Sequence, residues 1–452
     1  MHATGFGTSA SGARFFLLLM ALAASLQAEQ AKADAFPDTI YFDGFEACGL
    51  QCARVQCPGN GTTSLSGTIY APEGTLPLPN VEVYIANATV APLVDGPPAL
   101  RCDEAPSGHP LVATLTGSDG TFKLVNVPAG TPMNLVVLAG KWRRQVAVPA
   151  LSACVDTPLD PVATRLPRDH TEGDIAHIAL VTGSSEALEC LMRKSGVADS
   201  EFTTSAGSGR IHLYAGSGGA NHFDVAHGGA TFTDSLSFWT NSANLAAYDQ
   251  VIAACGGAPN PGNTEPQTAL DAMRTYADSG GRAYFSHLQN YWLSAGAAPW
   301  NTIATWNPQL DLNSVVAQVN STFAQGSILS SWLSTVGATA TPGTLSISGG
   351  KQTATALNET LARKWIYLDA TANLLPTFQY FTFTTPAEAA PVAQKGRVLF
   401  TEMHSSPGDS STTSVAFPSG GCTTPVANLT PQDHALLYGI FDLQRCVGSS
   451  RE

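Results

Sequence analysis

Charge is scarce in this sequence: 13% of its 452 residues are Asp, Glu, Lys or Arg, about half the share of an average soluble protein. Positive charge is scarcest, with 22 Lys and Arg against 35 Asp and Glu and a formal net charge of −13. That balance argues against nucleic acid or anionic lipid as the main partner. Long apolar runs are missing too, so no membrane span is expected where about 20 apolar residues would be needed. Walker and dinucleotide fingerprints are absent, and Gly183-Ser184-Ser185 and Cys255-Gly256-Gly257 are too short for phosphate loops. No cofactor is therefore expected. What the chain does have is 42 Gly and 29 Pro among abundant Ser and Thr, which suits a compact envelope or extracellular protein.

The first 33 residues read as an export signal peptide. Arg14 precedes an uncharged, mostly apolar run from Phe15 to Leu26, and small residues at Ala28 and Ala33 offer cleavage sites. All nine cysteines follow this segment, as expected of a periplasmic or extracellular protein whose thiols mostly pair. Zinc binding by Cys48, Cys52 and Cys57 lacks an obvious fourth ligand, and no metal is expected. The pairing proposed from sequence is Cys102 with Cys154, Cys190 with Cys255 and Cys422 with Cys446, leaving one of the first three over. Residues 34–61 form an irregular Cys-containing leader, with a strand expected over Ile40–Glu46.

From 62 to 166 short strand patterns alternate with turns. Strands are expected over Ser64–Tyr70, Val81–Ile85, Leu111–Thr116, Thr121–Leu124, Leu135–Leu138 and Arg143–Val148, with a hairpin turn at Asp119-Gly120. Six or seven such strands predict an all-β sandwich. Trp142 shares parity with Val146 and Val148, which places it in the core. Ser66-Gly67-Thr68-Ile69-Tyr70, Leu78-Pro79-Asn80-Val81-Glu82-Val83, Thr116–Phe122 and Asn126–Gly130 stand in order. This stretch resembles the carboxypeptidase regulatory-like family, a transthyretin-like sandwich sharing its fold with starch-binding domains. The resemblance implies a fold and an association with glycan-handling surface proteins, and no catalytic residues.

From 174 to 446 strands and helices alternate, which predicts an α/β domain with a mainly parallel sheet and helices on both faces. The strands are Ile175–Val181, Tyr248–Ala254, Arg282–Ser286 and Val398–Met403. Ser184 or Ser185 is expected to cap one helix, Thr264-Glu265-Pro266-Gln267 to box a second, and Thr430-Pro431-Gln432-Asp433 to cap the last. Residues 295–390 interrupt this order as an insertion covering the site, with a helix over Phe323–Leu333 and strands over Trp365–Leu368 and Phe378–Thr384. No internal repeat is evident.

Tyr248–Ile252 with Gly256-Gly257, and Tyr276–His287, resemble the class I glutamine amidotransferase-like fold of the trehalose-utilisation type. In that family a cysteine nucleophile stands on the turn after the second of these strands. Here the position holds His287, or Ser286 one register back, so glutamine hydrolysis is not expected. His287, Glu402 and His404 are the candidate catalytic trio, since Glu402 and His404 share strand parity and open α/β sheets bind ligands at strand carboxyl ends. Gly256, Gly257, Ser286, Trp292 and Trp300, with Trp306 nearby, are candidate ligand-binding residues. Cys255 is given to a disulfide with Cys190 and not read as a nucleophile, and His222–His227 reads as a polar loop.

The sequence favours an exported, non-catalytic protein binding a carbohydrate or other cell-envelope component. Its rivals are a hydrolase or isomerase of a sugar-like substrate using His287, Glu402 and His404, and a structural protein-interaction module.

Overall fold

Seven strands open the fold: β1 (Ser64–Thr68), β2 (Glu82–Ala86), β3 (Pro110–Leu115), β4 (Thr121–Val125), β5 (Met133–Ala139), β6 (Trp142–Val148) and β7 (Asp156–Pro158). They form one sheet in the order β4-β1-β7 and another in the order β3-β2-β5-β6. The computed structural model describes residues 48–448 except 309, 372–373, 406–411, 420–421 and 423–425. The expected signal peptide and the Ile40–Glu46 strand lie outside the described residues. Those from 50 onward belong to one compact unit.

Alternation along these strands decides what is buried. Leu65, Phe122 and Leu124 of one sheet join Val83, Leu135 and Val137 of the other in a common core. Asp119-Gly120 makes the expected tight turn, with Gly120 at φ 74. It joins strands of different sheets, however, and is not a hairpin. The reason is local: Gly120 packs against Pro77 and the Ile69 carbonyl, which steers β4 onto β1.

The second half contributes β8 (Ile178–Val181), β9 (Phe202–Thr203), β10 (Ile211–Ala215), β11 (Thr233–Asp234), β12 (Gln250–Ala253) and β13 (Arg282–Ser286). There follow β14 (Ala304–Trp306), β15 (Val315–Val319), β16 (Thr344–Ile347), β17 (Ala354–Leu357), β18 (Ala362–Leu368), β19 (Thr377–Thr385) and β20 (Gly396–Thr401). One large sheet runs β11-β10-β8-β12-β13-β20-β19-β18-β15-β16. Neighbours from β11 to β20 are parallel, and from β20 onward antiparallel.

The parallel strands β8, β12, β13 and β20 are buried throughout because helices cover both faces. On one face Ile178, Leu180, Ile252 and Leu399 meet Leu188, Leu191, Leu437 and Ile440. On the other, Val251, Ala283, Phe285 and Val398 meet Leu270, Met273 and Ala277 of the helix Gln267–Asp278. The 295–390 segment is no separate insertion over the sheet; β15, β16, β18 and β19 extend it. The helix expected over Phe323–Leu333 spans Ala324–Thr335.

Two of the three expected caps fail. The helix Leu188–Lys194 starts at Ala187 with no side-chain cap, and Ser184 and Ser185 stay exposed because Glu186 turns inward between them and the helix. Gln267–Asp278 starts after Pro266, also uncapped, and the Thr264 hydroxyl has no partner. Thr430 and Asp433 form a full capping box for Pro431–Asp442.

The disulfides are Cys57–Cys154, Cys102–Cys446 and Cys190–Cys422, and Cys48 and Cys52 are also disulfide-bonded. Every pairing proposed from sequence is thereby corrected. The expected bridges joined residues near in sequence, whereas these join residues 97, 344 and 232 apart. Cys255 is free and buried. No helix among the described residues is long and apolar enough to cross a membrane.

Candidate active site

Three parallel strands end side by side. β8 leads into Thr182–Glu186, β12 into Ala254–Gly257 and β13 into His287. β8 lies between β10 and β12, so the chain leaves it to one side and later resumes on the other. Open α/β sheets bind ligands at such a switch point, outside the strand carboxyl ends. The lip here is built by close approach of two loops: a Cβ on Gly257, at φ 80, would stand 2.9 and 3.0 Å from the Ser184 and Ser185 hydroxyls. Gly183 is equally constrained, since a Cβ there would fall 2.2 Å from the Cys255 carbonyl.

Beneath this lip the Cys255 Sγ stands 3.2 Å from His287 Nδ1. The thiol is fully buried and also accepts a hydrogen bond from Gly257 N at 3.4 Å. His287 holds φ 55, a left-handed conformation that costs a non-glycine residue about 1–2 kcal/mol. The residue is 4% exposed, its ring also bonds the Gly349 backbone, and the His404 ring packs edge-on at 4.6 Å. Glu186 fastens the loops together: Oε1 accepts from Cys255 N at 2.7 Å and Oε2 from Ser405 N at 3.1 Å.

Burial sets the protonation states. It pushes the Cys255 thiol up to about 11, with the nearby Glu186 carboxylate adding to the effect. Burial, then the His404 ring, holds the His287 imidazole well below its ordinary value. The Glu186 carboxyl is raised by burial, against the pull of His404. At neutral pH thiol and imidazole are therefore both uncharged. A neutral imidazole beside a neutral thiol has the geometry for a general base, able to accept the thiol proton.

Of the residues singled out by sequence, His287 and His404 meet as expected, and His287, not Ser286, occupies the turn. Ser286 lies just below, donating to the Met403 carbonyl at 3.2 Å. Gly256 is buried and Gly257 exposed at the lip. Glu402 does not join the histidines. β20 ends at Thr401, where Met403 N bonds back to the Thr401 hydroxyl at 3.0 Å, so strand parity no longer governs residue 402. Its Oε1 accepts instead from Thr353 N, Thr353 Oγ1 and Ala354 N at 2.9, 2.7 and 2.6 Å. Burial pushes this carboxyl up to about 7.

Trp292 and Trp300 are each 1% exposed and cannot line a groove. Trp292 stacks on Phe285 at 5.6 Å, and Trp300 packs edge-on to Phe383 at 5.6 Å. Trp306 packs on Phe400 in the same way. In the His222–His227 loop, His227 pairs with Asp224 at 2.6 Å. Among the described residues no group of three or more His, Cys, Asp or Glu fits a metal ion.

No family model matches the chain, and no curated protein matches it. Among solved structures, a ThuA-like protein from Bacteroides uniformis aligns with 10% identity over 59% of this chain and 90% of its own, at a TM-score of 0.31. Two interface mutants of a type II cohesin–X–dockerin complex from Acetivibrio cellulolyticus align over 28% and 32% of this chain and 79% and 76% of theirs. Their identities are 16% and 17% and their TM-scores 0.17 and 0.15. At these scores the alignments carry no argument about function.

Sequence reasoning missed Cys255 and Glu186. For Cys255 the trace was there, since the strand expected over Tyr248–Ala254 ends directly before it; Glu186, five residues past β8, carries no such local mark. The supposed Cys190–Cys255 bridge hid the first.

Proposed function

We propose that the protein is an exported thiol-dependent hydrolase acting on a small acyl compound, with Cys255 as nucleophile and His287 as general base. The contact between Cys255 Sγ and His287 Nδ1 carries this reading. His287 takes the thiol proton as sulfur attacks the substrate carbonyl, and Gly257 N–H, already directed at Sγ, favours the thiolate as it forms. The acyl group passes to Cys255, the leaving group takes the proton from the imidazolium, and water then hydrolyses the thioester. Gly257, Ser184 and Ser185 form the exposed rim over the buried sulfur, so this rim must part to admit substrate.

Export is supported by the apolar run after Arg14 and by the disulfides. Burial then explains how one thiol stays free where the others pair.

The test is turnover of p-nitrophenyl acetate and related small esters and amides by the full chain, Cys255→Ala and His287→Ala. Circular dichroism of each variant confirms the fold. Cys255→Ala should abolish turnover and His287→Ala lower it by roughly 10²- to 10⁴-fold. Turnover unchanged in folded Cys255→Ala, or none by the unaltered chain, would contradict the proposal.

A further inference from the structure

At the opposite end of β12 from Cys255, Asp249 lines a cavity of about 340 Å³. The cavity lies between the β5–β6 turn, which brings Lys141, and the amino ends of β8 and β12. Asp95, His170, Asp174 and Arg210 complete its charged lining. Ligand sites commonly start at this size, about 300 Å³.

Each Asp, Lys and Arg of the lining already has an opposite charge beside it, that of Asp174 being Arg143 from outside the lining. Arg210 grips Asp95 through two hydrogen bonds of 2.6 and 3.1 Å. Lys141 faces Asp249 at 3.5 Å, Arg143 holds Asp174 at 2.8 Å, and His170 meets Glu201 at 2.7 Å. An anion or a cation would have to break one of these pairs to be held.

Hydrogen-bonding capacity is left over in both senses. Asp249 is 1% exposed, its Oδ2 accepts from His177 N at 2.7 Å, and its Oδ1 accepts no hydrogen bond. Both Arg143 contacts fall on Asp174 Oδ2, which leaves Oδ1 as a second acceptor. On the donor side, Lys141 spends one N–H on the Val94 carbonyl and keeps others, and His170 engages only Nδ1. Leu93, Val94 and Ile175 add an apolar wall.

We propose that this cavity binds a small neutral polyol of monosaccharide size. A hydroxyl can bridge Asp249 Oδ1 and Lys141 Nζ, which stand 3.5 Å apart, donating to the first and accepting from the second, so that the buried acceptor gains a hydrogen bond. C–H faces of the ring meet the apolar wall. The site is separate from the Cys255 crevice and does not depend on its chemistry.

Calorimetric titration of the full chain with glucose, galactose and mannose tests this, with acetate, methylammonium and glycine as charged controls. At least one neutral sugar should bind saturably and the charged probes should not. Asp249→Asn should weaken that binding by roughly ten-fold or more, the worth of one hydrogen bond to a charged group, and Cys255→Ala should leave it unchanged. If Asp249→Asn fails to fold, Lys141→Met serves in its place. Absence of sugar binding, binding of a charged probe alone, or sugar binding unchanged in a folded lining variant would overturn the proposal.

Discussion

Cys255 and His287 meet because two parallel strands are in register. Ala253 of β12 pairs with Phe285 of β13, and two residues beyond each, just past the strand ends, stand the thiol and the imidazole, 3.2 Å apart. The register brings both chain exits to one place, and the first turns after the strands complete the contact.

The backbone at His287 should show its strain. His287→Gly and His287→Ala both remove the ring, but only glycine adopts φ 55 freely. The glycine variant should be the more stable of the two by about 1 kcal/mol in thermal or denaturant unfolding. Equal stabilities would mean the turn relaxes without the imidazole.

Glu402 should make stability depend on pH. Its carboxyl rises from 4.5 to about 7 in the fold through burial, so the folded state favours the protonated form. The resulting stabilisation is full below pH 4.5 and is lost as pH rises through 7, amounting to roughly 3 kcal/mol at about 1.4 kcal/mol per pH unit. Glu402→Gln should flatten the fall in unfolding midpoint between pH 5 and 8, at about the same order of magnitude. A fall as steep as in the unaltered chain would remove Glu402 as its source.

The Cys102–Cys446 bridge closes 344 residues of chain. Replacing both cysteines by alanine should cost about 2–5 kcal/mol, read as a lower denaturant midpoint. An unchanged midpoint would show that the neighbouring packing holds the two segments alone.

Much of the scaffold was legible in the sequence. Ile178–Val181 is an unbroken apolar run because both its faces are covered, and Thr430 with Asp433 announces the last helix. His287 was legible as a turn residue through the family resemblance of Tyr276–His287, which sets it just past a strand that the fold buries throughout. What escaped notice depends on distant contacts. Disulfides joining residues up to 344 apart leave no local trace. Glu402 and His404 part company because β20 stops one residue before the first of them. Trp292 and Trp300 looked like surface platforms, since nothing in their local sequence reveals Phe285 and Phe383 packed against them.

The most direct test of the central claim is to trap the acyl-enzyme. The chain would be mixed briefly with p-nitrophenyl acetate, quenched in acid and mapped by peptide mass spectrometry without reduction. An acetyl group is expected on the peptide bearing Cys255, removable by hydroxylamine and absent from His287→Ala. Acetylation confined to lysines, or a Cys255 peptide left unmodified while ester is consumed, would contradict it.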